Sequence, residues 1–273
     1  MATGKIDQQD PLLAFENFGI GNEEDDPSAM SLVDHLEELR KRIFVCLIAV
    51  VIGSIIAFIF RDYLVHFLEA PLPQHVNALA KANDGKTLVV QGVAEGFTVF
   101  LLISIAAGVI LALPVILYET WAFIAPGLYE REKKYAVPFI FIGIALFAAG
   151  ISVGYVVLRY PIEWLIAFAS NSFTELITAN SYFTFVAFFI LAFGLVFELP
   201  LVITFLAKVG IVSLDTLKKK RAAAHVGMWI ASTFLTPGAD LYSPIILGVC
   251  MSCLYELTII FIRFAIKPDT ATA

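Results

Sequence analysis

The chain is cut into long charge-free apolar windows, and their lengths decide what it can fold into. A helix rises 1.5 Å per residue, so about 20 apolar residues cross the roughly 30 Å of hydrocarbon in a bilayer. Ile43–Phe60 runs 18 residues without a charge, Gly96–Tyr118 runs 23 and Tyr135–Leu158 runs 24. Each reads as a membrane span. Ser181–Ala207 is a fourth, 27 residues long and interrupted only by Glu198. Two shorter windows follow, Ala222–Leu235 with 14 uncharged residues and Leu241–Ile262 with 22 and Glu256 inside. The turn-forming Thr236-Pro237-Gly238-Ala239-Asp240 joins them, so they read as a short helical hairpin, with a re-entrant loop as the alternative. Local thinning of the bilayer follows from either. The expected fold is all-α, a polytopic membrane protein of six transmembrane helices whose two last helices are short.

Composition closes off other classes. Hydrophobic residues make up 59% of the 273 and charged residues 15%, against about 45–50% and 25% in soluble domains. The net charge of −6 removes the broad basic field with which a nucleic-acid binder neutralises phosphates. Four His and three Cys offer little side-chain chemistry, and the spans leave no room for a catalytic domain. Cys250-Met-Ser-Cys253 has the spacing of a zinc or redox pair but sits in an apolar helix without further ligands, so packing is the better reading; Cys46 reads as core. His225 and Ser232 are two turns apart with no nucleophile pattern or orienting carboxylate beside them. No phosphate-binding glycine loop is present. No enzyme, cofactor or metal is expected.

Positive loops stay cytoplasmic. With six spans and both termini on one side, that side collects 14 Lys and Arg, and the other only Arg61, Lys81, Lys86 and Arg159. Both termini are therefore expected in the cytoplasm. Residues 1–30 form an acidic tail without an apolar signal-peptide core, expected to be disordered, so the first span serves as its own insertion signal. Residues 31–267 form one six-helix membrane domain, and 268–273 a short cytoplasmic tail. On the exported side, Tyr63–Glu95 carries Pro71, Pro73 and Asn83-Asp84-Gly85 and reads as a helical cap broken by turns. Pro161–Asn180 reads as a shorter loop whose Trp164 suits the interfacial belt. Pro114, Pro138 and Pro200 fall inside spans and should kink them, giving a bent, concave bundle. The halves differ too much in length for a three-plus-three repeat.

Ser31 to Arg42 reads as an amphipathic helix at the cytoplasmic face: Ser31 and Asp34 form a capping-box pattern, and Leu32, Leu36, Leu39 and Ile43 recur at helical spacing. Its charges, Glu37, Glu38, Arg40, Lys41 and Arg42, read alone as a solvated face and positive-inside anchor. The wider pattern says more. His35-Leu-Glu-Glu-Leu-Arg-Lys-Arg42, Ala70-Pro-Leu72, Leu113-Pro-Val-Ile-Leu-Tyr118, Trp121-Ala-Phe-Ile-Ala-Pro-Gly-Leu-Tyr129 with Glu132, Phe197-Glu-Leu-Pro200, Lys218-Lys-Lys-Arg221 and Leu235-Thr-Pro237 with Asp240 occur in this order. In these segments the chain resembles the TatC component of the twin-arginine protein translocase.

That resemblance implies a receptor, not an enzyme, in the bacterial cytoplasmic (inner) membrane. It would recognise signal peptides of folded cargo that bear paired arginines, and dock TatA-like and TatB-like single-span subunits in an oligomeric complex. By position it assigns Glu38, Arg40 and Glu132 to the signal-peptide surface, Pro71 to the periplasmic cap, Asp240 to the last periplasmic loop, and Glu198 to a concave intramembrane cavity that meets a polar residue of a partner helix. Departures are Leu102, where many members carry a lysine seven residues after the acid, a turn before Asp240 that is one residue longer, and Pro244 in place of a polar residue.

Elementary chemistry agrees with the acids. Two guanidinium forks call for at least two carboxylates in a water-poor site, bidentate acceptors of matching geometry. Phe123 and Leu128 would supply an apolar floor beyond the arginines. Read without the resemblance, Glu132 pairs with Arg131, Lys133 or Lys134 in an exposed loop. Glu198 lies about 25 Å from the exported end of its span and about 15 Å from Lys208 at the helical rise. A carboxylate at that depth costs several kcal/mol unless paired, protonated or wetted, so it reads as a functional site, with a protonated Glu hydrogen-bonded within the bundle as the alternative. Glu256 lies nearer the cytoplasmic end and is expected to pair with neighbouring helix termini. The alternative from another class is a proton-coupled small-solute carrier with Glu198 and Glu256 as its relay.

Overall fold

The structure, a computed structural model, describes residues 32–73, 88–124, 136–170, 176–238 and 240–265. The two tails, Ser31, and the 125–135 loop with Leu128 and Glu132 lie outside the described residues. Ten helices are described: α1 (Leu32–Ile59), α2 (Arg61–Glu69), α3 (Glu95–Ile124), α4 (Ala136–Val157), α5 (Arg159–Ser170), α6 (Ala179–Phe197), α7 (Leu199–Lys208), α8 (Leu214–Lys219), α9 (Arg221–Leu235) and α10 (Tyr242–Ala265). The chain divides into two compact units, residues 1–41 and 42–273. The packing described below is that of the second.

Among the described residues five segments are long and apolar enough to cross a membrane: Asp34–Ile59, Glu95–Ile124, Val137–Phe168, Ala179–Lys208 and Tyr242–Phe264. The chain is a multi-pass, all-α membrane protein. α9, with 15 residues, rises only about 22 Å and falls short of the hydrocarbon thickness.

α6 is the central helix, because its small and aromatic residues alternate in a way that lets two neighbours close on it. Over half of the α6–α7 window is buried, 56%, against 11% for α1. Phe189 and Phe193 are fully enclosed. Side chains of α4 and α6 interlock through glycine: a methyl group on Gly150 or Gly154 would sit within 2.9 Å of Phe197 or Phe193, and one on Gly194 within 2.7 Å of Phe147. Small residues of this kind let membrane helices approach without a hydrophobic driving force. Gly53 of α1 and Gly108 of α3 do the same, with a methyl on Gly53 only 2.8 Å from the Gly108 carbonyl oxygen.

The three prolines occupy different places in their helices. Pro138 and Pro200 lie in the first turns of α4 and α7, where the missing N–H would have had no intrahelical partner. Pro114 is accommodated inside the unbroken α3. The same rule corrects the second exported loop: Pro161 is the third residue of α5, so the chain continues as helix to Ser170 instead of opening into a loop.

On the Glu95 side the connections are tied together. Val89 donates to the Ile177 carbonyl (3.1 Å) and accepts from Ala179 (2.9 Å), forming an isolated parallel bridge. The Glu95 carboxylate accepts N–H groups from Gln91 and Gly92 and from Asn180 at the start of α6. Tyr155 and Tyr182 donate to the Phe67 and Leu68 carbonyls at 2.8 and 2.7 Å. These carbonyls end α2 and would otherwise lack partners.

Candidate functional site

Glu198 occupies the single-residue joint between α6 and α7. Its backbone is near helical (φ −76°, ψ −15°), and its N–H turns back to the Leu195 carbonyl at 3.1 Å. Pro200 cannot donate to the α6 carbonyls, so the joint falls just before it. The side chain is 8% exposed, and neither carboxylate oxygen has a hydrogen-bond partner among the described residues. Around it are Gly143 of α4, Leu117 of α3 and Leu201 of α7; a methyl on Gly143 would meet all three side chains, lying 3.4 Å from Glu198 Oε2. The absence of a Cβ at position 143 makes room for Leu117, 2.8 Å from where it would lie, and the carboxylate packs beside the two leucines. An acid held in apolar surroundings without a mate is a site with an unmet demand for a donor.

A second polar group lies toward the far end of α3. Arg42 Nη1 donates to Glu119 Oε2 at 2.9 Å, with both side chains largely buried. Beside it in sequence, Trp121 packs with Phe139 and Phe205 at centroid distances of 4.9 and 5.4 Å, closing the ends of α3, α4 and α7. Phe123 follows in the last turn of α3 and is half-buried. Neither the Arg42–Glu119 pair nor the aromatic cluster was legible in sequence, since each joins helices that no spacing rule connects.

Glu38 and Arg40 lie on α1 within the first unit, Glu38 half-buried with an oxygen 4.0 Å from His35 Nδ1, Arg40 exposed. Glu37 pairs with Lys41 at 3.2 Å. Pro71 sits half-buried in the turn after α2, beside the buried Leu72 and Pro73. Asp240 is a helix cap: Oδ1 accepts the Ser243 N–H at 2.6 Å, opening α10, whose first turn takes Pro244 without loss.

Glu256 pairs as expected with a neighbouring helix start, accepting from both Arg221 and His225, the latter at 2.9 Å. With Nε2 donating to that carboxylate, His225 Nδ1 accepts from Ser252 at 3.1 Å. An orienting carboxylate for His225 thus exists, contrary to the sequence reading, but it comes from α10. Ser232 points elsewhere, donating to the Trp229 carbonyl. Held by Arg221 and His225, Glu256 is a poor relay group for a carrier. Cys46, Cys250 and Cys253 are free thiols.

The family model described as Sec-independent protein translocase protein (TatC) matches residues 34–249. The chain belongs to the TatC family. TatC of Desulforapulum autotrophicum is 38% identical over 239 residues, 87% of this chain and 86% of that protein. TatC of Carboxydothermus hydrogenoformans is 40% identical, covering 90% and 96%, and that of Escherichia coli K12 is 35% identical, covering 85% and 88%. A crystal structure of the twin-arginine translocase receptor TatC in DDM superposes with a TM-score of 0.71 at 32% identity, covering 83% of this chain and 98% of that one. The matched TatC range contains Glu38, Glu132, Glu198 and Asp240, whereas Ser252 and Glu256 lie beyond it.

Proposed function

We propose that this chain is the receptor subunit of twin-arginine protein export, binding paired-arginine signal peptides at its cytoplasmic face and docking TatA-like and TatB-like single-span subunits. Membership of the TatC family supports the first part, and the Glu198 carboxylate, unpartnered among the described residues, supports the second. In this reading the chain crosses the inner membrane six times, α9 completing the count where the bilayer is thin, and both termini are cytoplasmic as the Lys and Arg distribution requires. Glu38 and Glu132 receive the two guanidinium groups, Arg40 contributes to the same surface, and Phe123 and Leu128 floor the apolar residues that follow. Glu198 accepts from a polar side chain of a partner helix, because a hydrogen bond is the cheapest way to keep a carboxylate in hydrocarbon. Pro71 and Asp240 are structural, holding the periplasmic cap and the last loop. Cargo crosses folded, through an assembly of several subunits.

The test is site-specific photocrosslinking from positions 132 and 198 in membranes that contain all subunits. Position 132 should capture signal peptide and position 198 a single-span partner helix. Capture of signal peptide from 198 and of no partner would reassign Glu198 to cargo recognition.

A further inference from the structure

A half-open cavity of about 370 Å³ lies between α2, α3, α4 and α6, lined among others by Phe67, Ala106, Ala107, Ile151, Tyr155 and Leu191. Its two hydroxyl groups are already engaged, Ser152 with the Ala148 carbonyl (2.7 Å) and Tyr155 with the Phe67 carbonyl (2.8 Å). An occupant therefore needs no hydrogen-bonding group of its own. A lining of aliphatic and aromatic side chains suits a hydrocarbon chain.

Its depth points the same way. The α3 residues that line it, Ile103 to Ile110, begin about 12 Å and end about 22 Å along the helix from Glu95, within the hydrocarbon. Five residues from Glu95, at about 7 Å, the Arg61 guanidinium lies over the Phe100 ring at 5.5 Å and the Phe58 ring at 5.1 Å. Arg61 donates one bond to the Phe58 carbonyl at 3.3 Å, approaches Asp62 at 3.9 Å, and its side chain is 36% exposed. A guanidinium has five donors, and among the described residues one hydrogen bond engages them, leaving donors for an anion. A cation at headgroup depth, above a dry channel in the hydrocarbon, matches the two ends of one molecule.

We propose that this groove binds one acyl chain of a glycerophospholipid, whose phosphate is met by Arg61. The cavity is then filled in the membrane, and the tyrosine-held α2 packs against lipid as well as protein.

The experiment uses the full chain in nanodiscs containing phosphatidylglycerol with a photoactivatable acyl chain, diluted into detergent before irradiation and mapped by mass spectrometry. Labelling at Ala106, Ala107 and Leu191 should survive dilution, while labelling of the exposed α1 face at Ile48, Ile52 and Ile55 disappears. Arg61→Gln should lower the retained label about tenfold, the loss of one charge-assisted hydrogen bond, and Ala107→Phe should abolish it. If Ala107→Phe does not fold, Leu191→Trp blocks the groove from another helix and should abolish the label likewise. Groove and α1 labels lost together, retention unchanged in Arg61→Gln, or a crosslink from the groove to a second copy of the chain would each overturn the proposal.

Discussion

A carboxylate buried in an apolar span with no hydrogen-bond partner among the described residues calls for something else to complete it, and Glu198 is in that position. Replacement by Gln keeps hydrogen-bonding capacity, so Glu198→Gln should retain most partner association. Glu198→Ala should weaken it by about 0.6–2 kcal/mol, the range for interhelical polar contacts in lipid, while leaving signal-peptide affinity intact. Crosslinking yield to the single-span subunits, measured beside peptide affinity in one preparation, separates the two effects. At the proposed signal-peptide surface, Glu38→Ala and Glu132→Ala should each cost about 1.5–3 kcal/mol of peptide binding, read by titration with a paired-arginine peptide; parent-like affinity in both variants would discard the assignment. Sequence located Glu198 because a charge in an apolar window is conspicuous at any spacing. It did not show what surrounds the carboxylate, since Gly143 and Leu117 come from other helices.

At the scale of elements, windows and prolines told where helices run but not which ones meet. The closest crossing, Gly53 and Ser54 of α1 against Gly108 of α3, leaves no trace in hydropathy: a methyl on Gly108 would lie 2.2 Å from Ser54 Oγ and 2.6 Å from its backbone nitrogen. Gly108→Leu should therefore force α1 from α3 and destabilise the bundle by about 1–3 kcal/mol, as overpacking does, measured by denaturant titration in detergent. Charges at window ends were equally ambiguous until paired. Glu256 joins α10 to α9 through Arg221 and His225, so Glu256→Gln should loosen that end of the hairpin and speed amide exchange over residues 221–226. Exchange unchanged from the parent would mean that packing of Leu217, Tyr255 and Ile259 holds the hairpin without the clamp. Of the connections on the Glu95 side, only Pro161–Asn180 was misread as a loop throughout, for in a first turn proline is a helix starter.

For the whole molecule, five membrane-length segments among the described residues, the order of motifs along the chain and the match over residues 34–249 describe one family and one architecture. That much was legible because a bilayer imposes length and apolarity on each span separately, so local sequence suffices. The proposed recognition surface was legible only through resemblance, since long-range geometry sets which carboxylates face one ligand. The central claim is that this surface reads the planar forks of two arginines and not their charge alone. It is tested most directly by titrating the purified chain with two signal peptides, one with the arginine pair and one with lysines in its place, over increasing salt. Screening removes the shared long-range attraction, so the arginine peptide should keep an advantage at high ionic strength; convergence of the two affinities would contradict the account.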